Sequence, residues 1–247
     1  MQQTMFLRDL EKIKMNKINY QDNSVKELLK SGSHLRIMTD FLLEKSNPSI
    51  LELGVERGSS TKAFVWFAEK VNGKVFSVDI DDCSKVVHSP NWKFLKSNDL
   101  DKNYILKNFD EIKEKGVDLI YIDSYHENFH VTKLLNLWFK YLKKDGAIFI
   151  DDTDGFPFRE KKDTWNSIIY DLIDEAAKEF YYKNTENIIY TKYMNFPENG
   201  LVKLYKTSNF LEEPNFDRKI WNYNIFIKIV YPYLRKIRKL IKIIFKF

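Results

Sequence analysis

Apolar runs four to six residues long alternate with segments of helical period along most of the chain. Val25 to Glu44 carries apolar residues at Val25, Leu28, Leu29, Leu35, Met38 and Leu42, broken at Ser31-Gly32-Ser33. This predicts one or two helices, joined at Asn47-Pro48 to the first strand. Ile50–Leu53 reads as that strand and closes on Gly54, and Ala63, Phe64, Phe67, Ala68 and Val71 mark the helix after Gly58. Lys74–Val78, Trp92–Leu95 and Val117–Ile122 read as further strands, the last a nearly unbroken apolar run of the kind buried on both faces of a parallel sheet. A helix over Val131–Tyr141 leads through Lys144-Asp145-Gly146 into the strand Ala147–Ile150. Beyond a loop at 154–163 come a helix (Trp165, Ile168, Ile169, Leu172, Ile173, Ala176) and a hairpin, Asn187–Tyr193 with Leu201–Tyr205, around Pro197-Glu-Asn-Gly200. The pattern predicts an α/β fold: a doubly wound, mostly parallel sheet with helices on both faces and a C-terminal antiparallel hairpin. Ligands belong at the carboxyl ends of such strands. Residues 1–48 form a helical lead-in, 49–210 the main domain and 211–247 a tail.

The stretch Ser-Ile-Leu-Glu-Leu-Gly-Val-Glu-Arg-Gly-Ser-Ser from Ser49 to Ser60 is strand, glycine turn and helix. Gly54 and Gly58 allow a sharp turn with close approach of a ligand, and the helix N-terminus offers unpaired N–H groups. A dinucleotide fingerprint wants G-x-G-x-x-G, but Glu56 stands at the middle position. Glu52 and Glu56 would repel a pyrophosphate and suit a cationic, amine-bearing cofactor. The alternative is a turn that binds nothing. Asp79, 21 residues after Gly58, is spaced to accept two ribose hydroxyls, or else to cap a helix in Asp81–Val87. Asp99, in Ser97-Asn98-Asp99, is placed to meet an adenine amine or to cap the next helix.

Three carboxylates, Asp123, Asp151 and Asp152, end two strands expected to be neighbours. They repel unless neutralised, and oxygen donors of this kind select a hard ion such as Mg²⁺. Such an ion would hold a hydroxyl-bearing substrate, and His126 would then take its proton. The alternative is that these acids cap helices and His126 is a surface turn residue. His34, His88 and His130 receive no role, and Phe156-Pro157-Phe158 either lines an acceptor pocket or packs locally.

Glu52-Leu53-Gly54-x-x-x-Gly58-x-Ser60, then Asp123-x-x-His126, then Asp151-Asp152 resembles the metal-dependent, catechol O-methyltransferase-like branch of class I S-adenosylmethionine-dependent methyltransferases, from about Gly32 to Thr153. Ile37-Met38 sits where that family carries a similar pair. The resemblance implies a Rossmann-like sheet and an S-adenosylmethionine cofactor held by Glu52, Gly54, Gly58, Ser60, Asp79 and Asp99. It also implies Mg²⁺ on Asp123, Asp151 and Asp152, and an acceptor hydroxyl. His126 replaces the family's lysine base, as in the branch that methylates sugars, which points to a saccharide or other small polar acceptor. Cephalosporin-hydroxylase-like proteins of the same fold also carry D-x-x-H before a D-D strand end, and a non-catalytic scaffold of this fold is a third reading. No [DN]-P-P-[YF] element follows Asp123, which argues against nucleic acid.

The 247 residues, 44% of them hydrophobic, suffice for one such domain with appendages. The single cysteine, Cys83, excludes a disulfide framework and suits a reducing cytoplasm. The first residues do not read as a signal peptide, and no apolar run is long enough to span a bilayer. The net charge of +5 is unevenly spread. Residues 218–247 hold nine Lys/Arg and no acid, leaving 31 bases against 35 acids elsewhere, a net of −4. From Leu234 the apolar residues Leu234, Ile237, Leu240, Ile241, Ile244 and Phe245 share one side of a helix. Arg235, Lys236, Arg238, Lys239, Lys242 and Lys246 share the other. With Trp221, Tyr223, Tyr231 and Tyr233 upstream, residues 234–247 read as an anchor on anionic lipid at the inner face of the membrane. The competing reading is a helix docked on the domain or on a sister subunit in a homo-oligomer, its lysines solvated.

Overall fold

A computed structural model of the protein describes residues 25–26, 28–194, 199–216, 218 and 225–245. The N-terminal 24 residues, residues 195–198, where a hairpin turn is expected, and Trp221, Tyr223, Lys246 and Phe247 lie outside the described residues, as do the side chains at 225, 239, 240 and 242–245.

Helix α1 (His34–Leu42) begins at Ser33, whose hydroxyl accepts from Arg36 N at 3.1 Å. The Ser-Gly-Ser break is thus a helix cap, and residues 25–26 and 28–29 form turns rather than a second helix. Next come β1 (Ser49–Leu53), α2 (Ser59–Val71), β2 (Lys74–Asp79), β3 (Trp92–Lys96), α3 (Lys102–Asn108), α4 (Asp110–Lys115), β4 (Val117–Ile122), α5 (Asn128–Trp138) and β5 (Leu142–Ile150). The order closes with α6 (Phe156–Glu160), α7 (Thr164–Lys183), β6 (Ile188–Tyr193), β7 (Leu201–Lys206) and α8 (Ile225–Phe245).

The seven strands lie in the order β3-β2-β1-β4-β5-β7-β6, the first five parallel and the last two antiparallel. The Lys144-Asp145-Gly146 turn lies inside β5 as an irregularity. Asp145 takes a φ of 62°, and the register against β4 shifts between Val117 and Leu119.

Strand residues alternate faces, and here the alternation builds two cores. Leu51, Leu53, Phe76, Val78, Ile120, Ile122, Ile148 and Ile150 meet α3, α4, α5 and α7. Ile50, Val75, Leu119, Tyr121, Ala147 and Phe149 meet α1 and α2 on the other face. By the same alternation Glu52, its register partners Ser77 and Tyr121, and Phe149 beside Tyr121 all point toward α1 and α2. Strand order reverses between β1 and β4, and the crevice outside such a reversal is where open α/β sheets bind ligands.

Candidate functional site

A cavity of about 970 Å³ opens at that reversal, near the upper end of the range for ligand sites. Gly54, Ser60, Asp79, Asp99, Asp123, His126, Asp151 and Asp152 all line it; Glu52 and Gly58 do not.

Glu52 corrects an expectation. It is fully buried and accepts hydroxyl protons from Ser60 (2.6 Å), Thr61 (2.8 Å) and Ser77 (2.6 Å). Burial pushes its pKa up to about 7 despite these three donors, with the charge of Asp123 adding to the rise. The carboxyl therefore supports Ser60 from behind rather than holding a cofactor itself. Its direction follows from strand alternation, which turns position 52 toward the first turn of α2.

The glycines act through the backbone. A Cβ on Gly54 (φ +102°) would stand 2.2 Å from the Asp123 carbonyl oxygen, so Gly54 lets the ends of β1 and β4 close on each other. On Gly58 (φ +74°) a Cβ would strike Val86. Asp79 fixes the same turn: Oδ2 accepts from Val55 N (2.7 Å) and Glu56 N (3.0 Å), Oδ1 from Asp81 N (2.9 Å). Residues 81–87 are not helical, so Asp79 caps no helix there.

Asp99 is not a helix cap either; Asp101 caps α3 through Tyr104 N. Only 8% exposed, Asp99 accepts from Ser124 Oγ at 2.6 Å and lies 3.0 Å from His130 Nε2. His130, given no role in the sequence, thus joins the cavity wall. Its position one turn beyond His126 was the available signal.

At the acid rim the members differ from one another. Asp123 Oδ1 and Asp152 Oδ2 stand 3.3 and 3.2 Å from His126 Nε2. The ligand atoms of these three residues all lie within 4.8 Å of one another. Burial raises the pKa of Asp152, and that of Asp123 to about 6 although His126 pulls it down. Burial alone would lower His126, but its bond to Asp123 and the charges of Asp152, Asp123 and Asp151 reverse the sign and raise it.

Asp151 stands apart. Its Oδ1 is 2.9 Å from His34 Nδ1 and accepts from Asp152 N at 2.9 Å, while Oδ2 accepts from the Tyr121 hydroxyl. Burial would raise its pKa, and these partners with the nearby His34 charge lower it. Tyr121 also reaches Asp123 Oδ2 at 3.2 Å and so bridges two acids. Of the expected metal ligands Asp123, Asp151 and Asp152, the structure gathers Asp123 and Asp152 together with His126, while Asp151 is tied into the protein. His34 reaches the site from α1, a contact across 117 residues that no local pattern announces. Asn199 Nδ2 donates to Asp152 Oδ1 at 3.0 Å, and Tyr170 adds a further hydrogen bond to the same carboxyl. The Phe156–Phe158 segment does not line the cavity; Phe158 packs edge-on against Tyr170 at 4.8 Å, and Tyr170 against His126 at 5.8 Å.

Residues 51–153 match the family of methyltransferase domains. No curated protein sequence matches the chain. Among solved structures it is similar to a Staphylococcus aureus protein assigned as a caffeoyl-CoA O-methyltransferase (14% identity, 83% of this chain and 100% of that one, TM-score 0.55). An O-methyltransferase from Bacillus cereus in complex with S-adenosylhomocysteine is also similar (13%, 81% and 90%, 0.54). A third is a methyltransferase from the mycinamycin biosynthetic pathway in complex with Mg and S-adenosylhomocysteine (17%, 87% and 56%, 0.50). At these identities the likeness is one of fold. The matched stretch carries both the glycine turn and the acid rim. Together with the sheet order and the cavity at its reversal, it makes residues 51–153 similar to a methyltransferase domain on the fold those structures share.

Proposed function

We propose that the protein is an O-methyltransferase that moves the methyl group of S-adenosylmethionine to a hydroxyl of a saccharide or other small polar acceptor, with Mg²⁺ at the acid rim. The observation that carries this reading is the convergence of Asp123, His126 and Asp152 on the wall of the cofactor cavity. Gly54, Ser60, Asp79 and Asp99 face the cofactor: Asp79 its ribose, Asp99 its adenine, Ser60 its methionine end. Glu52 and Gly58 hold that wall from behind. Asp123 and Asp152, half-buried carboxylates whose pKa values are both raised, lack countercharge and would offer a hard divalent ion oxygen donors, leaving His126 beside them as the base. Asp151 orients the pair through Tyr121 and the backbone of Asp152. When bound, the ion would offset the rim's charge and acidify the acceptor hydroxyl.

The remaining chemistry is the chain's own. S-adenosylmethionine, when bound, would supply the methyl group from its sulfonium sulfur to the acceptor oxygen, and His126 would accept the proton that the acceptor hydroxyl gives up. Asp123 orients the imidazole and stabilises its charged form. The mycinamycin-pathway enzyme, in complex with Mg and S-adenosylhomocysteine, supports the pairing of metal and cofactor on this fold. The acceptor's charge is constrained as well. Seven acids and one basic residue other than histidine, Arg57, line the cavity among the described residues. A polyanion such as nucleic acid would be repelled there.

We read α8 as a peripheral contact with anionic lipid at the inner membrane face. The support is its exposed apolar side and a tail that carries no acid.

Calorimetric titration with S-adenosylhomocysteine, with and without Mg²⁺, tests the central reading on wild type and on Asp152→Ala. Micromolar cofactor-product binding by both proteins is expected, with Mg²⁺ binding lost in the variant. A wild type that does not bind S-adenosylhomocysteine would remove the methyltransferase reading of this site.

A further inference from the structure

Helix α8 meets the body in the opposite sense to an ordinary amphipathic helix. Lys228, Arg235 and Arg238 face inward, while Lys236 is exposed. Lys228, 5% exposed, pairs with Glu179 (2.5 Å) and Glu175 (3.5 Å) of α7. Arg238 lies over the Trp165 ring at 5.2 Å, and Tyr231 packs on the same ring at 5.0 Å. Between them Arg235 reaches the catalytic loop: its guanidinium donates to the carbonyl of His126 and lies 5.1 Å from the centroid of the Tyr125 ring. Both Tyr125 and His126 line the cavity.

The His126 carbonyl needs such a partner. It lies one residue before Glu127, the N-cap of α5, and the first helical hydrogen bond there runs from Val131 N to the carbonyl of Glu127. His126 O therefore falls just outside the helix ladder. The loop between Asp123 and α5 is otherwise tied by little backbone pairing: Asp123 N to Leu53 O at one end and Glu127 N to Tyr125 O within. Arginine suits the task because one planar group can donate to a carbonyl and stack on an aromatic face together. Arg235 is also close enough to Tyr170 for its charge to act on that hydroxyl.

We infer that Arg235 is a positioning residue. By holding the His126 carbonyl and the Tyr125 ring, α8 sets the loop that carries the base and brings the His126 imidazole against Asp123 and Asp152. The inference rests on the proposed role of His126, but its test does not need turnover. Amide hydrogen exchange of the full chain is compared for wild type, Arg235→Ala and Arg235→Lys, alongside titration with Mn²⁺ alone and with S-adenosylhomocysteine. In Arg235→Ala, exchange should rise at least tenfold at residues 124–130 and stay within twofold in β1, β4 and α2. Mn²⁺ should bind about tenfold more weakly, with S-adenosylhomocysteine affinity within twofold of wild type. Arg235→Lys should restore part of the protection, since lysine can donate to the carbonyl but cannot stack as a plane. Unchanged exchange at 124–130, or exchange raised uniformly across the sheet, would overturn the inference. Should wild type fail to bind S-adenosylhomocysteine, the exchange comparison still decides whether Arg235 holds this loop.

Discussion

At the scale of single residues, Glu52 links burial to pH. Its unfolded carboxyl titrates near 4.5 and its folded one near 7, so between those values the folded chain binds the proton more tightly. Stability is full below about pH 4.5 and declines as pH rises through 7. A shift of this size corresponds to about 3 kcal/mol. Glu52→Gln keeps the shape and removes the titration. Denaturant unfolding from pH 5 to pH 8 should therefore decline less in the variant, which should be the more stable protein at pH 8 by about 1–3 kcal/mol. Parallel decline in both proteins would show that Glu52 is not the group responsible. The acid itself was legible in the sequence, but its direction was not. Glu52 reads as a cofactor ligand because it precedes the glycine turn, yet strand alternation turns it toward Ser60, Thr61 and Ser77. Asp79, Asp123, His126 and Asp152 are legible because strand ends deliver them to the rim whatever else the chain does. His34, Tyr121 and Asn199 depend on packing between distant segments and leave no local signature.

At the scale of elements, the site exists because β1 and β4 end side by side with no side chain between them. Gly54→Ala would place a methyl group against the Asp123 carbonyl and also strain a φ of +102°. A loss of about 3–5 kcal/mol in chemical denaturation is expected, from overpacking and backbone strain together. Gly32→Ala is the control: its φ is +81° but an added Cβ would meet nothing within 4 Å beyond its chain neighbours, so only the strain of about 1–2 kcal/mol should appear. Equal losses at both positions would mean that the closeness of β1 and β4 is not what Gly54 serves. The strands were legible because period and burial agree along each. The break inside β5 was not, since Lys144-Asp145-Gly146 has the composition of a turn and only pairing with β4 on both sides of it, at Leu142 and again from Ala147, carries the strand through.

At the scale of the molecule, α8 presents Phe226, Ile229, Tyr233, Leu234, Ile237 and Ile241 to solvent, and no helix among the described residues is long and apolar enough to cross a membrane. The sequence revealed the two-sided helix but not which side would meet the body. Ile237→Asp with Ile241→Asp alters the outward side and leaves Arg235 in place. Co-sedimentation with phosphatidylserine-containing vesicles should fall at least tenfold in this variant, and S-adenosylhomocysteine binding should be unchanged. Wild type that ignores such vesicles but dimerises through this side, as read by sedimentation equilibrium, would assign the surface to a second copy instead.

The contact between Arg235 and His126 also fixes an order in time. Its donor is synthesised 109 residues after its acceptor. At about 5–20 residues per second that interval is roughly 5–20 s, during which the nascent sheet can fold while the loop bearing the base still lacks its restraint. On the proposed role of His126, chemistry at this rim would wait until α8 has been made. A protease that clipped α8 from the mature protein would likewise remove the Arg235 restraint from this loop.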